Sequence, residues 1–326
     1  MQLRWLIFAT CFSVLTVACA KDPQRKYETE AAPNFLFEEY PLHFDCSDRW
    51  PGMPLPPGTY AYVNVNPQIP YSYTRLEALD LPRAQVAALT LAAENGAYLD
   101  ISIQGAKQND WGLQFCARGE GNSEAEARQY LSTVSMSRIG SLVTLDGGGV
   151  GSIGPGGPPG GRGQLLMNAP ADAPLTIDSS SGSIKVHDMD GPVRLSAANG
   201  RITVLNSSGR VGANGAIVDF AGSKGTVTLT ASMEADIKII AQRFAGKISA
   251  EASHEARVLV PKGFQTPMEL IVRRPKDLIC RADICKNMQQ KSDGWWHIYT
   301  LPGDGSATDH IRVQSQNSTV VIDNAE

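Results

Sequence analysis

Between residues 164 and 262 apolar and polar side chains alternate in short bursts, and a glycine opens many of them. Gly182-Ser183-Ile184-Lys185-Val186, Gly191-Pro192-Val193-Arg194-Leu195, Gly200-Arg201-Ile202-Thr203-Val204 and Gly209-Arg210-Val211 follow one another at steps of 9, 9 and 9 residues. Alternation with period two is the signature of a strand that buries one face. A fixed spacing over several such strands predicts stacked repeats, each covering the apolar edge of its neighbour. The series continues through Gly215-Ala216-Ile217, Gly225-Thr226-Val227, Ala235-Asp236-Ile237, Gly246-Lys247-Ile248 and Ala256-Arg257-Val258, at steps of 6, 10, 10, 11 and 10, so the corner loops vary in length. Ser180-Ser181-Gly182 and Ala198-Asn199-Gly200 enter their strands alike, at the spacing of a coil with two strands and about 18 residues. The fold expected is all-β: a parallel β-solenoid, or β-helix, of Gly-x-Ile-x-Val units around an Ile/Val/Leu column. Its turns are expected at Gly182, Gly191, Gly200, Gly209, Gly215, Gly225 and Gly246, where glycine adopts conformations that other residues resist.

Upstream, Ala88–Leu91, Ala97–Ile103 and Trp111–Phe115 alternate as strands, and Asn95-Gly96 predicts a hairpin between the first two. Ser123-x-x-Glu126 is a capping box, so a helix starts there, with Ala125, Ala127, Tyr130 and Leu131 on or near one face. Thr133–Met136 and Leu142–Leu145 return to strand. Downstream, Phe264 to Cys280, Trp295–Tyr299 and Ile311–Val313 break the beat as a cap would, and Asn317–Ile322 restores it as a last rung. The organisation expected is a signal at 1–20, a Pro-rich tether and extended segment at 21–74, a β unit with one helix at 75–146, a Gly/Pro-rich loop at 147–163, repeats at 164–262, and C-terminal strands and cap at 263–326.

The signal changes the chemical setting. Met1-Gln2-Leu3-Arg4, the apolar run Trp5 to Val17 and Ala18-Cys19-Ala20 form the n-, h- and c-regions of a secretory signal. Cleavage after Ala20 gives a free protein; cleavage before Cys19, at Leu15-Thr16-Val17-Ala18-Cys19, gives a lipoprotein. The polar stretch Lys21 to Ala32 favours the second as a tether. An exported chain meets an oxidising compartment, so Cys280 is expected to pair with Cys285 and Cys46 with Cys116. Zinc is the competing use of these cysteines, but no C-x-x-C knuckle or histidine pair supports it.

The units Ser181-Gly182-Ser183-Ile184-Lys185-Val186 and Ala198-Asn199-Gly200-Arg201-Ile202-Thr203-Val204 resemble those of the bacterial adhesin-like β-strand-repeat family, whose related forms are called toast-rack domains. The Asn95-Gly96 turn, the strand after it and the helix through Glu124-Ala125-Glu126-Ala127 resemble the family's upstream piece. The similarity runs from Leu89 to Ile322. It implies a β-solenoid, usually exported, without catalytic activity or defined site residues.

Charge and motifs narrow the function classes. A formal net charge of -4 gives no footprint for nucleic acid. His43, His187, His254, His297 and His310 are scattered and match no metal pattern, and no G-x-S-x-G elbow is present. Gly149-x-Gly151-x-x-Gly154 matches a dinucleotide fingerprint, but Pro155-Gly156-Gly157 stands where the phosphate-binding helix would start. Strands this short and this poor in aromatics exclude a transmembrane barrel. Asp188 and Asp190 flank a turn, where local turn chemistry is expected ahead of calcium. A sugar-cleaving β-helix would need two of Asp178, Asp188, Asp190, Asp219 and Asp236 in one groove with stacking aromatics, and the repeats offer only Phe220 and Phe244. No catalytic residue, metal or cofactor is therefore expected. The expected function is a non-enzymatic, exported scaffold or adhesin-like interaction protein of the bacterial cell envelope, at the outer membrane or in the periplasm as a lipoprotein, or else secreted. Its partner is an envelope protein or glycan, with Trp295, Trp296 and Tyr299 as the contact candidates; the alternative is a carbohydrate-binding or carbohydrate-cleaving β-helix.

Overall fold

A computed structural model describes residues 60–62, 71–94, 99–147, 160–304 and 308–325. Cys19, Cys46 and the glycine run at 149–154 lie outside them. The described residues are all-β apart from short 3-10 turns and one α-helix, α1 (Glu124–Thr133). Two parallel ladders organise the strands. In spatial order the first contains β7 (Leu142–Gly147), β3 (Leu89–Glu94), β9 (Leu175–Ser179), and the leading parts of β11 (Val193–Leu205), β12 (Arg210–Gly222) and β13 (Lys224–Ile239). It ends in β14 (Ala245–Ala252), β20 (His310–Ser315) and β16 (Met268–Val272). The second contains β8 (Gly161–Pro170), β4 (Leu99–Ala106), β10 (Ser183–His187), the trailing parts of β11, β12 and β13, then β15 (Glu255–Val260), β21 (Val320–Asn324) and β17 (Leu278–Cys280).

Register follows the repeats. Ile184 lies opposite Ile202, Ile202 opposite Val218, Val218 opposite Ala235, and Ala235 opposite Ala256. Register shifts in β11 between Ala197 and Arg201, and in β12 between Gly215 and Ile217, mark where the chain passes from one ladder to the other. Because alternate residues face opposite sides, each strand sends one apolar row inward, and the inward rows of both ladders share one core. Full burial of each Ile, Val or Leu is worth roughly 1.5–3 kcal/mol, so the stack is stabilised along its whole length. Phe220 and Phe244, the aromatics of the repeats, are buried in that core and meet edge to face at 6.3 Å.

The glycines of the nine-residue beat fall alternately at the two corners. A Cβ on Gly200 would overlap the carbonyl oxygen of Gly182, and one on Gly182 would overlap that of Leu99. At the other corner, Gly209 is held against the carbonyl of Gly191, and Gly246 against that of Gly225. Gly182 also has φ +94, in the left-handed region. Gly200 and Gly209 are not among the positive-φ residues, so close approach between stacked corners, rather than turn conformation, requires glycine there.

Pairing is mixed rather than parallel throughout. β5 (Asp110–Gly121) runs antiparallel to β8 and to β2 (Tyr71–Pro82), and β2 to β1 (Tyr60–Tyr62). β6 (Val134–Ile139) runs antiparallel to β7, and β19 (Trp296–Leu301) to both β16 and β18 (Gln289–Asp293). β3 and β4, expected as a hairpin, belong to different ladders, β3 pairing with β7 and β9 and β4 with β8 and β10; Asn95-Gly96 itself lies outside the described residues. Helix α1 starts where the capping box puts it, with Ser123 Oγ accepting from the Glu126 N–H at 3.2 Å and a Glu126 carboxylate oxygen accepting from the Asn122 N–H at 2.8 Å. Ala127 and Leu131 are buried, while Ala125 is exposed.

Rung order departs from chain order at both ends. The rung β3/β4 lies between β7/β8 and β9/β10, which are consecutive in sequence. The rung β20/β21 lies between β14/β15 and β16/β17, likewise consecutive. Ile311–Val313, off the beat in sequence, is thus a member of the first ladder.

Candidate functional site

The two-residue turn Gly294-Trp295 joins β18 to β19, with Asp293 paired to Trp296 across it and Gly294 at φ +59. Glycine suits the first central position of such a hairpin because a II′-like turn requires positive φ there. The turn presents Trp295 to solvent at 89% exposure, the highest among the exposed large hydrophobic residues. Trp296, at the start of β19, is half-buried, and the Arg273 guanidinium carbon lies 5.5 Å from its ring centroid, within cation–π range. Arg274 donates through Nε to Asp277 Oδ2 at 2.8 Å, which raises its already high pKa, and Asp277 is buried beneath it. Asn317, at the corner between β20 and β21, completes a concavity of about 640 Å³ with these five residues. Its backbone N–H is tied to the carbonyl of Ser253 at 3.1 Å.

Three separate stretches of chain build this concavity: the 3-10 turn after β16, the β18–β19 hairpin and the last corner. The threading of β20/β21 between other rungs brings Asn317 to the other two. Tyr299 does not take part. It lies opposite Leu270, is 4% exposed, and burial raises its hydroxyl pKa. The contact candidates are therefore Trp295 and Trp296. Arg273, Arg274 and Asn317 carry no motif of their own in the sequence; Gly294 is the signal from which the presenting hairpin can be read.

The carboxylate candidates are dispersed. Asp178 lies on the exposed face of the first ladder. Asp188 accepts from Gln104 Nε2 at 2.6 Å, and Asp190 accepts from the Ser208 hydroxyl, both at the corner leading from the second ladder to the first. Asp219 and Asp236 are in register on adjacent strands of the second ladder, between Thr203 and Arg257. Asp219 Oδ2 accepts from Thr203 Oγ1 at 3.2 Å and pairs with Arg201 Nε at 3.3 Å, while its Oδ1 is buried without a hydrogen bond. Burial raises the Asp219 pKa against the opposing charge of Arg201. Burial likewise pushes the Asp236 carboxyl up to about 6, opposed by Arg257 and reinforced by Asp219, Glu234 and Glu255. Among the described residues no cluster of three His, Cys, Asp or Glu side chains is placed to hold a metal ion. No described helix is long and apolar enough to cross a membrane.

Cys280 and Cys285 form a disulfide with a Cα–Cα distance of 5.9 Å, closing the segment after β17. Cys116 is disulfide-bonded as well; Cys46, its expected partner, lies outside the described residues.

No family model and no curated protein sequence matches this chain. Among solved structures, it is similar to a candidate cell adhesion protein from Clostridium sporogenes ATCC 15579, at 12% identity and a TM-score of 0.35, over 77% of this chain and 98% of that one. It is also similar to a candidate adhesin from Bacteroides fragilis NCTC 9343, at 9% identity and a TM-score of 0.19, over 77% of this chain and 97% of that one. At these scores the likeness carries nothing about function, which rests on this chain's own residues.

Proposed function

We propose that this chain is a non-enzymatic scaffold of the bacterial cell envelope, a short two-sided β-solenoid that holds an adhesin-like contact site at one end. Trp295 carries the reading. An indole left in water on a tight hairpin gains nothing for the fold, whereas aromatic side chains dominate the energetics of contact surfaces. Export follows from the signal at residues 1–20 and suits the disulfide between Cys280 and Cys285. Cys19 is the lipidation site in this reading, and the stretch after it is the tether.

The experiment is binding of the purified chain to bacterial envelope fractions. Replacing Trp295 and Trp296 by Ala weakens binding several-fold with the thermal melt unchanged; unchanged binding refutes the site. A Cys19→Ala variant tests the anchor separately, since a lipoprotein loses both its diacylglyceryl mass and its membrane retention.

One observation favours a carbohydrate-cleaving alternative: Asp219 and Asp236 are adjacent carboxylates with raised pKa values. Such pairs serve as acid and base in glycoside hydrolysis. The repeats' only aromatics, Phe220 and Phe244, face the core and leave no stacking surface beside the pair. Release of reducing ends from polysaccharides, abolished by Asp236→Asn, would establish this alternative in place of the scaffold.

A further inference from the structure

Resting on the contact-site reading above, we infer that the concavity at the β18–β19 hairpin binds an acidic saccharide, a sugar ring bearing a carboxylate. Three features carry the inference. The first is the charge balance: the lining holds Arg273, Arg274 and Asp277, and the last two neutralise each other through their hydrogen bond. Arg273 remains, with no ion pair among the described residues, on a chain whose formal net charge is -4. A lone guanidinium on an acidic protein selects for an anion.

The second is geometry. Arg273 lies against Trp296 at 5.5 Å, so the indole limits its rotation. A guanidinium packed on a ring still directs its N–H edge outward, and that planar fork matches the two oxygens of a carboxylate. Preorganisation lowers the entropy lost when the anion binds.

The third is the free indole. Trp295 is 89% exposed, so its face is open to an apolar surface. A pyranose presents a row of C–H groups on one face and hydroxyls at its rim. The C–H face stacks on the Trp295 indole, the ring's carboxylate sits on Arg273, and the Asn317 amide, able to donate and accept, meets a hydroxyl. A concavity of about 640 Å³ has room for a short oligosaccharide. An acidic peptide would satisfy Arg273 but has no rigid C–H face for Trp295, so the saccharide is the better match.

The test titrates the full chain with tetragalacturonate, a hyaluronan tetrasaccharide and sialyllactose, each beside its neutral methyl ester, and with poly-glutamate. At least one free acid binds about tenfold or more tightly than its ester, the difference expected for a charge-assisted pair. Arg273→Gln removes that preference without changing ester binding, Arg273→Lys restores part of it, and Trp295→Ala weakens acid and ester together. Both residues are exposed, so thermal melts of these variants match wild type. Equal affinity for acids and esters, absence of binding to all three acids, or poly-glutamate bound as tightly as the best acid overturns the inference. Envelope-fraction binding separates the two claims. Loss with the double Trp variant but not with Arg273→Gln leaves the contact site standing and removes the acidic sugar; loss with neither removes both.

Discussion

At single residues the repeat is limited by space. Gly200 and Gly212 are both glycines of the stack, yet a Cβ at Gly200 would overlap the Gly182 carbonyl, whereas one at Gly212 would meet nothing within 4 Å. Gly200→Ala therefore forces stacked corners apart and lowers stability by about 1–3 kcal/mol, the usual cost of overpacking. Gly212→Ala is neutral or stabilises by up to about 1 kcal/mol, because it restricts the unfolded chain only. Urea denaturation midpoints with unchanged slopes check both values; equal effects at the two sites would refute the stacking argument.

Asp236 gives a residue-scale pH dependence. Its folded pKa of about 6 lies above the ordinary carboxylate value of 3.8, so the folded chain holds the proton more tightly. Stability is then full below about pH 4 as far as this group is concerned and falls as pH rises through 6, because the native state binds more protons than the unfolded state over that window. With one pKa unit worth about 1.4 kcal/mol, the loss is on the order of 3 kcal/mol by neutral pH. Asp236→Asn removes it, raising the denaturation midpoint at pH 7.5 and leaving it unchanged at pH 4. A gain of equal size at both pH values would mean that packing, not the proton, is responsible.

At the scale of elements, the cystine between Cys280 and Cys285 ties β17 to the 3-10 turn that follows it. Closing so short a loop stabilises by about 2 kcal/mol in the chain-entropy view. Because β17 is only three residues long and pairs with β21 on one side, its loss acts locally. Reduction, or replacement of both cysteines by Ser, speeds amide exchange in 278–287 and in β21 while leaving β10 to β13 protected. Uniform acceleration along the chain would show instead that the end rung and the middle unfold as one unit. The helix offers a parallel case: Ser123→Ala removes the cap on the Glu126 N–H and costs about 1 kcal/mol.

Elements of this kind were the most legible part of the sequence. Ile184-Lys185-Val186 and Ile202-Thr203-Val204 announce strands because alternation encodes which side chains face inward, and Ser123-x-x-Glu126 announces a helix because capping is local. The hairpin expected between β3 and β4 failed for a related reason: a local turn signal does not say which strands pair, and β3 pairs with β7 and β9 while β4 pairs with β8 and β10. The site was half legible. Trp295 and Trp296 stand out as adjacent aromatics after a glycine, but nothing local ties them to Arg273 or Asn317, and nothing local marks Tyr299 as a core residue.

For the whole described unit, alternation specifies a face and leaves the neighbour open, so the order of rungs was invisible. Any Val-x-Ile strand fits beside any other, and only the finished stack reveals that β20/β21 separates β14/β15 from β16/β17. A chain ending at residue 304 lacks that rung, leaving β14 and β15 unpaired on one side and depriving β16 and β17 of their parallel partners. Such a truncation is expected to lose protease resistance from about residue 245 onward while 160–239 stays resistant. Full resistance would mean that β16 and β17 close directly onto β14 and β15.

The same arrangement sets a clock. Synthesis delivers the strands from first to last, and most stacks can grow by adding each new coil to the previous one. Here later strands take a place within the stack, so β16 and β17 wait, one edge open, until β20 and β21 arrive. Completion of this part of the stack is then a single late event, at the arrival of β20 and β21, rather than the sum of many early ones.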